Sequence, residues 1–126
     1  MKKIYVVSAY AGEVEKNVAN AIGYCKYVMS KGYMPLASHL YFTRLTDDNI
    51  PEERRMGLNM GLELLAMCEE AWVFYDNRIS SGMAGEIAEA QKLGLPIRYF
   101  LTKNGKIIGS FAEVAAYGCQ PKVVNI

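Results

Sequence analysis

The sequence predicts an α/β protein: a three-layer, flavodoxin- or Rossmann-like fold, with a central, mainly parallel sheet of four to five strands in the order 2-1-3-4-5 and helices on both faces. Three observations carry this reading. Apolar runs at residues 4–7, 71–75 and 96–101 are nearly continuous, as strands buried on both faces are. Between them lie longer segments with apolar residues at helical spacing, at 14–31, 51–68 and about 83–93. Gly32 and Gly94, the latter with Pro96 beyond, stand where the first and third helices should stop.

Taken in order, residues 4–7 form the first strand, and Ser8-Ala9-Tyr10-Ala11-Gly12 is the loop at its carboxyl end. In an open α/β sheet ligands bind beyond the carboxyl ends of strands, so Ser8, Tyr10 and Gly12 are candidate substrate contacts. The first helix, 14–31, carries Val14, Val18, Ile22 with Ala21, Cys25 and Val28/Met29 as its expected core stripe. Residues 33–37 make a second strand, and Pro35 within it argues for an edge position.

His39 follows in Ser38-His39-Leu40-Tyr41-Phe42. An imidazole titrates near neutrality and can serve as acid, base or ligand contact, although a lone histidine equally suits a packed or surface position. Tyr41 and Phe42, with Tyr10, are candidates for an aromatic wall against a flat ligand ring. Residues 43–50 are polar and predict a flexible loop over the site. Pro51 opens the second helix, with Glu52 and Glu53 favouring its dipole. That helix shows two apolar stripes, Leu58/Leu62/Leu65 and Met56/Met60/Leu64/Met67. One sheet cannot cover so much of its girth, and a homo-oligomer is expected.

The most informative stretch is 71–93. Asp76 and Asn77 come where the strand 71–75 ends, Ser80-Ser81-Gly82 supplies a helix start, and the helix runs to about Leu93. At about 100° per residue, Met83, Ile87 and Ala90 share one face, and Glu86 falls on its edge. Burial there raises a carboxylate's pKa, while the amides of the helix start favour its charged form; the spacing also suits a glutamate on the rim of a solvated face. Residues 96–101 are the fourth strand, and Asn104-Gly105 signals a hairpin or loop. A short helix at 111–117 and a tail or late strand at 120–126 complete the chain, read as one domain over 1–126.

Composition narrows the function. Fourteen basic and thirteen acidic side chains leave a net charge of +1, which gives no support to a polymeric nucleic acid partner. Three distant cysteines and one histidine offer neither a disulfide framework nor a metal site, so no metal and no cofactor is expected. The first apolar run is too short for a signal peptide, and no run approaches the roughly 18 residues of a membrane span. The cytoplasm, or a host cytoplasm for a virus-borne chain, is the expected location, with no membrane partner. Phosphate-loop, dinucleotide-fingerprint and nucleophile-elbow motifs are all missing.

Asp76, Ser80, Gly82, Glu86, Ala90, Gly94 and Pro96 together resemble the nucleoside 2-deoxyribosyltransferase family: an acid at a strand end, Ser-x-Gly, Glu four residues on, then a small residue and a Gly-x-Pro turn. The resemblance spans residues 4–101 and implies that Glu86 is the nucleophile that takes the sugar from a base. Relatives with the same layout hydrolyse deoxynucleoside 5′-monophosphates, and family members assemble so that subunits complete each other's sites. The chain departs from the family in lacking Gly-Pro in its first loop and in carrying Gly61 roughly where an acid of the second helix handles the base. Ser38-His39-Leu40 and Trp72-Val73-Phe74 are similar to a small, largely uncharacterised bacterial and phage subgroup.

An oxocarbenium-like transition state needs a carboxylate near the anomeric carbon, which suits Glu86, while Asp76 can bind sugar hydroxyls or act as the second carboxylate. Ser80, Ser81 and the amides around Gly82 can hold a 5′-phosphate at the helix start. The expectation is therefore an N-deoxyribosyltransferase or a deoxynucleoside 5′-monophosphate N-glycosidase acting on a small nucleoside or nucleotide. The alternative is a binding module that senses or sequesters a nucleotide-like ligand without turnover.

Overall fold

The computed structural model describes residues 1–112 and 122–123. The element order is β1 (Lys3–Val7), α1 (Val14–Ser30), β2 (Met34–Leu36), two single 3-10 turns (Ser38–Leu40 and Phe42–Arg44), α2 (Pro51–Ala66), β3 (Glu70–Tyr75), β4 (Arg78–Ile79), α3 (Ser81–Lys92), β5 (Ile97–Lys103), β6 (Lys106–Ala112) and β7 (Lys122–Val123). Five strands form one sheet in the order β2-β1-β3-β5-β6, and the two-residue β4 pairs only with β7. Counted without β4, the main sheet has the expected order 2-1-3-4-5. All its pairings are parallel except β5 with β6, which Asn104 (φ 51) and Gly105 (φ 79) join by a tight hairpin turn.

The apolar strands are buried on both faces because helices cover both. Ile4, Val6, Trp72, Phe74 and Phe100 pack under α1 with Tyr24 and Val28. The alternate residues Tyr5, Val7, Val73, Tyr75, Ile97 and Tyr99 pack with Met83, Ile87 and Ala90 of α3 and Leu65 of α2. The third helix stops as its sequence predicts. Gly94 (φ 73) lets its own amide reach Gln91 O and that of Leu95 reach Ala90 O, each at 3.0 Å, which closes the last turn.

Three expectations need correction. The buried stripe of α1 is Ala21, Tyr24 and Val28, while Val14, Ile22 and Met29 are exposed. Tyr24 presents a ring that stacks on Phe74, and this larger contact turns the helix away from the purely aliphatic phase. The polar stretch 43–50 is preceded and partly overlapped by the turn Phe42–Arg44, whose last turn is held by Thr46 Oγ1 donating to Phe42 O at 3.1 Å. Phe111 and Ala112 extend β6, pairing with Tyr99 and Arg98, so the helix expected at 111–117 does not start there. The rest of that helix lies outside the described residues, as does most of the tail 120–126, of which Lys122–Val123 is the strand β7.

Candidate functional site

The third helix begins at Ser80, whose Oγ accepts from the Met83 amide at 3.2 Å, and whose carbonyl accepts from Ala84 at 2.9 Å. The Ser81 and Gly82 amides are the first-turn donors that these bonds leave over, and both residues are exposed. One turn further, Glu86 sits half-buried on the flank of the apolar face. Tyr5, in the middle of β1 and pointing to the same side of the sheet, donates its phenol proton to Glu86 Oε2. Its oxygen also lies 2.9 Å from the buried Ser38 Oγ, held on the first 3-10 turn.

The electrostatics follow from this enclosure. Burial pushes the Glu86 carboxyl up to about 7, and the Tyr5 hydrogen bond opposes the rise only in part. Burial first, then the Glu86 charge and hydrogen bond, raise Tyr5 far above the usual phenol range, so it remains a proton donor. A carboxylate near neutrality, paired with a neutral donor, can alternate between charged nucleophile and neutral acid or ester. The second helix adds no side chain here: a Cβ built on Gly61 would lie 3.5 Å from Ser38 Cβ and 3.7 Å from Tyr5 Oη.

The other candidates gather around the carboxyl ends of β1 and β3. Asp76 is exposed and lines a small cleft with Ser8, Lys16, Asn17, Thr102 and Asn104. That cleft opens on the α1 side, and no hydrogen bond or ion pair joins Asp76 to Glu86 among the described residues. Ser8 is 3% exposed, and its Oγ has no hydrogen-bond partner among the described residues. The loop behind it is pinned by Asn17 Nδ2, which donates to Tyr10 O at 2.9 Å and to Ala11 O at 3.1 Å; Gly12 is exposed.

His39 stacks on Tyr10 with ring centroids 4.9 Å apart and 21° between planes. Burial lowers its pKa, against the opposing charge of Asp48 and a hydrogen bond to the Ser8 backbone, so the ring is neutral at pH 7. It clasps the first loop to the 3-10 segment. Tyr41 is exposed and leans on Phe42 at 5.2 Å, so the aromatics form two separate pairs and not one wall.

Sequence reasoning missed Tyr5 and Ser38. A tyrosine within an otherwise aliphatic buried strand was the available signal, because a buried phenol needs a partner. Among the described residues no cluster of three or more His, Cys, Asp or Glu could hold a metal ion, and no helix is long and apolar enough to cross a membrane.

A family model described as "Domain of unknown function (DUF7768)" matches residues 2–100. No curated protein matches the sequence. Among solved structures, a 2-deoxyribosyltransferase from the psychrotolerant bacterium Bacillus psychrosaccharolyticus is similar with a TM-score of 0.61 at 21% identity, over 85% of this chain and 77% of that one. A 2-deoxyribosyltransferase from Leishmania mexicana is similar with a TM-score of 0.57 at 18% identity, over 82% of this chain and 66% of that one. At such identities the likeness establishes the shared fold.

Proposed function

Since the chain belongs to the family described as Domain of unknown function (DUF7768), a description that carries no activity, we propose its function from the site itself. It is an N-glycosidic bond enzyme acting on a small nucleoside or nucleotide, either an N-deoxyribosyltransferase or a deoxynucleoside 5′-monophosphate N-glycosidase. The observation that carries this reading is the half-buried Glu86 carboxylate held by the Tyr5 phenol beside the strand-end loops. The fold shared with two 2-deoxyribosyltransferases supports it.

In this mechanism a Glu86 oxygen attacks the anomeric carbon as the carbon–nitrogen bond breaks, and the base leaves with the bonding pair and takes a proton from water. A second base or water then attacks the same carbon and releases Glu86. Asp76 binds sugar hydroxyls, and Ser8, with its unpaired buried hydroxyl, contacts the ligand from the first loop. Tyr10, Gly12, His39 and Tyr41 border it. Ser80, Ser81 and Gly82 receive a 5′-phosphate at the start of α3. The working form is a cytoplasmic homo-oligomer in which a second copy covers the exposed Met56, Leu58 and Met67 of α2.

A nucleotide-binding module without turnover is the second reading, favoured by Gly61, which brings no acid to the Tyr5–Ser38 pair to help a base depart. Mass spectrometry of a mixed pool of nucleosides, deoxynucleosides and 5′-monophosphates separates the two. Free base released by wild type and reduced by about three orders of magnitude or more in Glu86→Ala supports the enzyme. A ligand retained and returned intact supports the module instead.

A further inference from the structure

Tyr5 has one phenolic proton and, among the described residues, two hydrogen-bond partners: Glu86 on α3 and Ser38 on the 3-10 turn after β2. When Glu86 is ionised its oxygen can only accept, so the phenol proton belongs to it. The contact of 2.9 Å between Tyr5 Oη and Ser38 Oγ then needs the serine proton between them. We propose that Ser38 is a positioning residue for the Tyr5–Glu86 pair: its hydroxyl donates to the phenol oxygen while Glu86 is charged and accepts from it once that charge is gone.

The surroundings leave this task to Ser38. The second helix faces the pair with Gly61, which has no side chain to offer, and with Cys68 just past its end. Burial holds the Cys68 thiol up at about 11, so it is neutral, and its Sγ is committed to Leu64 O at 3.4 Å. The third helix contributes Glu86, and among the described residues the one ionisable group that acts on its carboxyl is Tyr5. Ser38 is 7% exposed, too enclosed for bulk water to replace its hydroxyl freely.

A serine hydroxyl can both donate and accept, and rotation about one bond exchanges the roles. With Glu86 charged, the chain runs from Ser38 to Tyr5 to Glu86, and donation into the phenol oxygen strengthens the phenol's own donation. With Glu86 protonated, or esterified on the proposed reaction path, the phenol proton can turn to Ser38 Oγ. No proton leaves the site and no bond between heavy atoms changes. The consequence for catalysis rests on the reading of Glu86 as nucleophile; the hydrogen-bond direction does not.

The test is a carboxyl carbon NMR titration of the full chain labelled with 13C-glutamate, with nucleoside turnover followed in parallel. Ser38→Ala is expected to raise the Glu86 midpoint by roughly half a pH unit, because the phenol becomes a weaker donor to the charged form. Ser38→Thr restores it. Tyr5→Phe raises the midpoint further, by roughly one pH unit. In that background Ser38→Ala adds nothing, a dependence that a merely structural serine would not show. An unmoved midpoint in Ser38→Ala, or an equal shift with and without Tyr5, overturns the proposal. If the alanine variant does not fold, Ser38→Val against Ser38→Thr makes the same comparison at matched shape. A shifted midpoint in a protein that consumes no nucleoside keeps the relay and removes the enzymatic reading.

Discussion

The two faces of the sheet are built from alternate residues of the same strands, yet they solve opposite problems. Under α1, Trp72, Phe74 and Phe100 meet Tyr24 and Tyr27 in stacked and edge contacts, and the polar handle of Tyr24 reaches Thr102 Oγ1 at 3.4 Å. Under α2 and α3, the equivalent layer holds a phenol, a serine and a carboxylate. Aromatic packing stabilises the fold without further requirements, whereas a buried carboxylate costs stability unless its charge is matched. A chain that packs one face so well can tolerate an ionisable group in the other, and the proposed nucleophile lies on that second face.

The largest expected effect lies on the α1 face. Phe74 is 2% exposed, stacked on Tyr24 at 4.5 Å and on Phe100 at 4.8 Å. Phe74→Ala should cost about 3–5 kcal/mol in denaturant unfolding. The Glu86 midpoint should stay in place, because the sheet lies between them. A moved midpoint would show that the two faces are not separate.

Glu86→Gln tests the other face, with the opposite sign. The Glu86 pKa is raised from its ordinary 4.5 to about 7 in the folded chain, so its contribution to stability is full below pH 4.5 and is lost as pH rises through 7. Glutamine does not titrate and can still accept from Tyr5. The variant should therefore gain on wild type across that window, reaching roughly 3 kcal/mol at pH 8. Equal pH dependence in urea melts of the two proteins would mean that the carboxylate is not desolvated.

The difference between the faces was only half legible in the sequence. Strand order and helix ends could be read because Gly32, Gly94, Pro35 and the continuous apolar runs act locally. The phase of Glu86 on α3 was likewise local, and the half-buried flank it predicts is what the fold has. Its partner was not legible, since Tyr5 lies 81 positions away and meets it only through the β1–β3 crossover. Ser38 read as part of a Ser-His-Leu run beside the more conspicuous His39, whose ring instead stacks on Tyr10. The α1 stripe was phased on aliphatic residues, while the ring of Tyr24 fixes the real one. Periodicity places a residue on a face; it does not say which distant hydroxyl waits there.

The smallest effect separates the faces by their glycines. On the α1 side Gly105 has φ +79, a backbone conformation that favours glycine, and a Cβ there would also force the Asn20 side chain to move. Gly61, inside α2, has neither reason: an added Cβ would sit at ordinary contact distances, 3.5–3.7 Å, from Ser38 and Tyr5. A glycine inside a helix costs about 0.5–1 kcal/mol relative to alanine. Gly61→Ala should thus raise thermal stability by about that amount, where Gly105→Ala lowers it. If the space over the Tyr5–Ser38 pair receives part of the ligand, the same substitution weakens binding several-fold, roughly 1 kcal/mol, while the Glu86 midpoint stays put. A variant that is more stable and binds as tightly as wild type would leave Gly61 without a role in the site, and the ligand would then approach Glu86 from the strand-end loops alone.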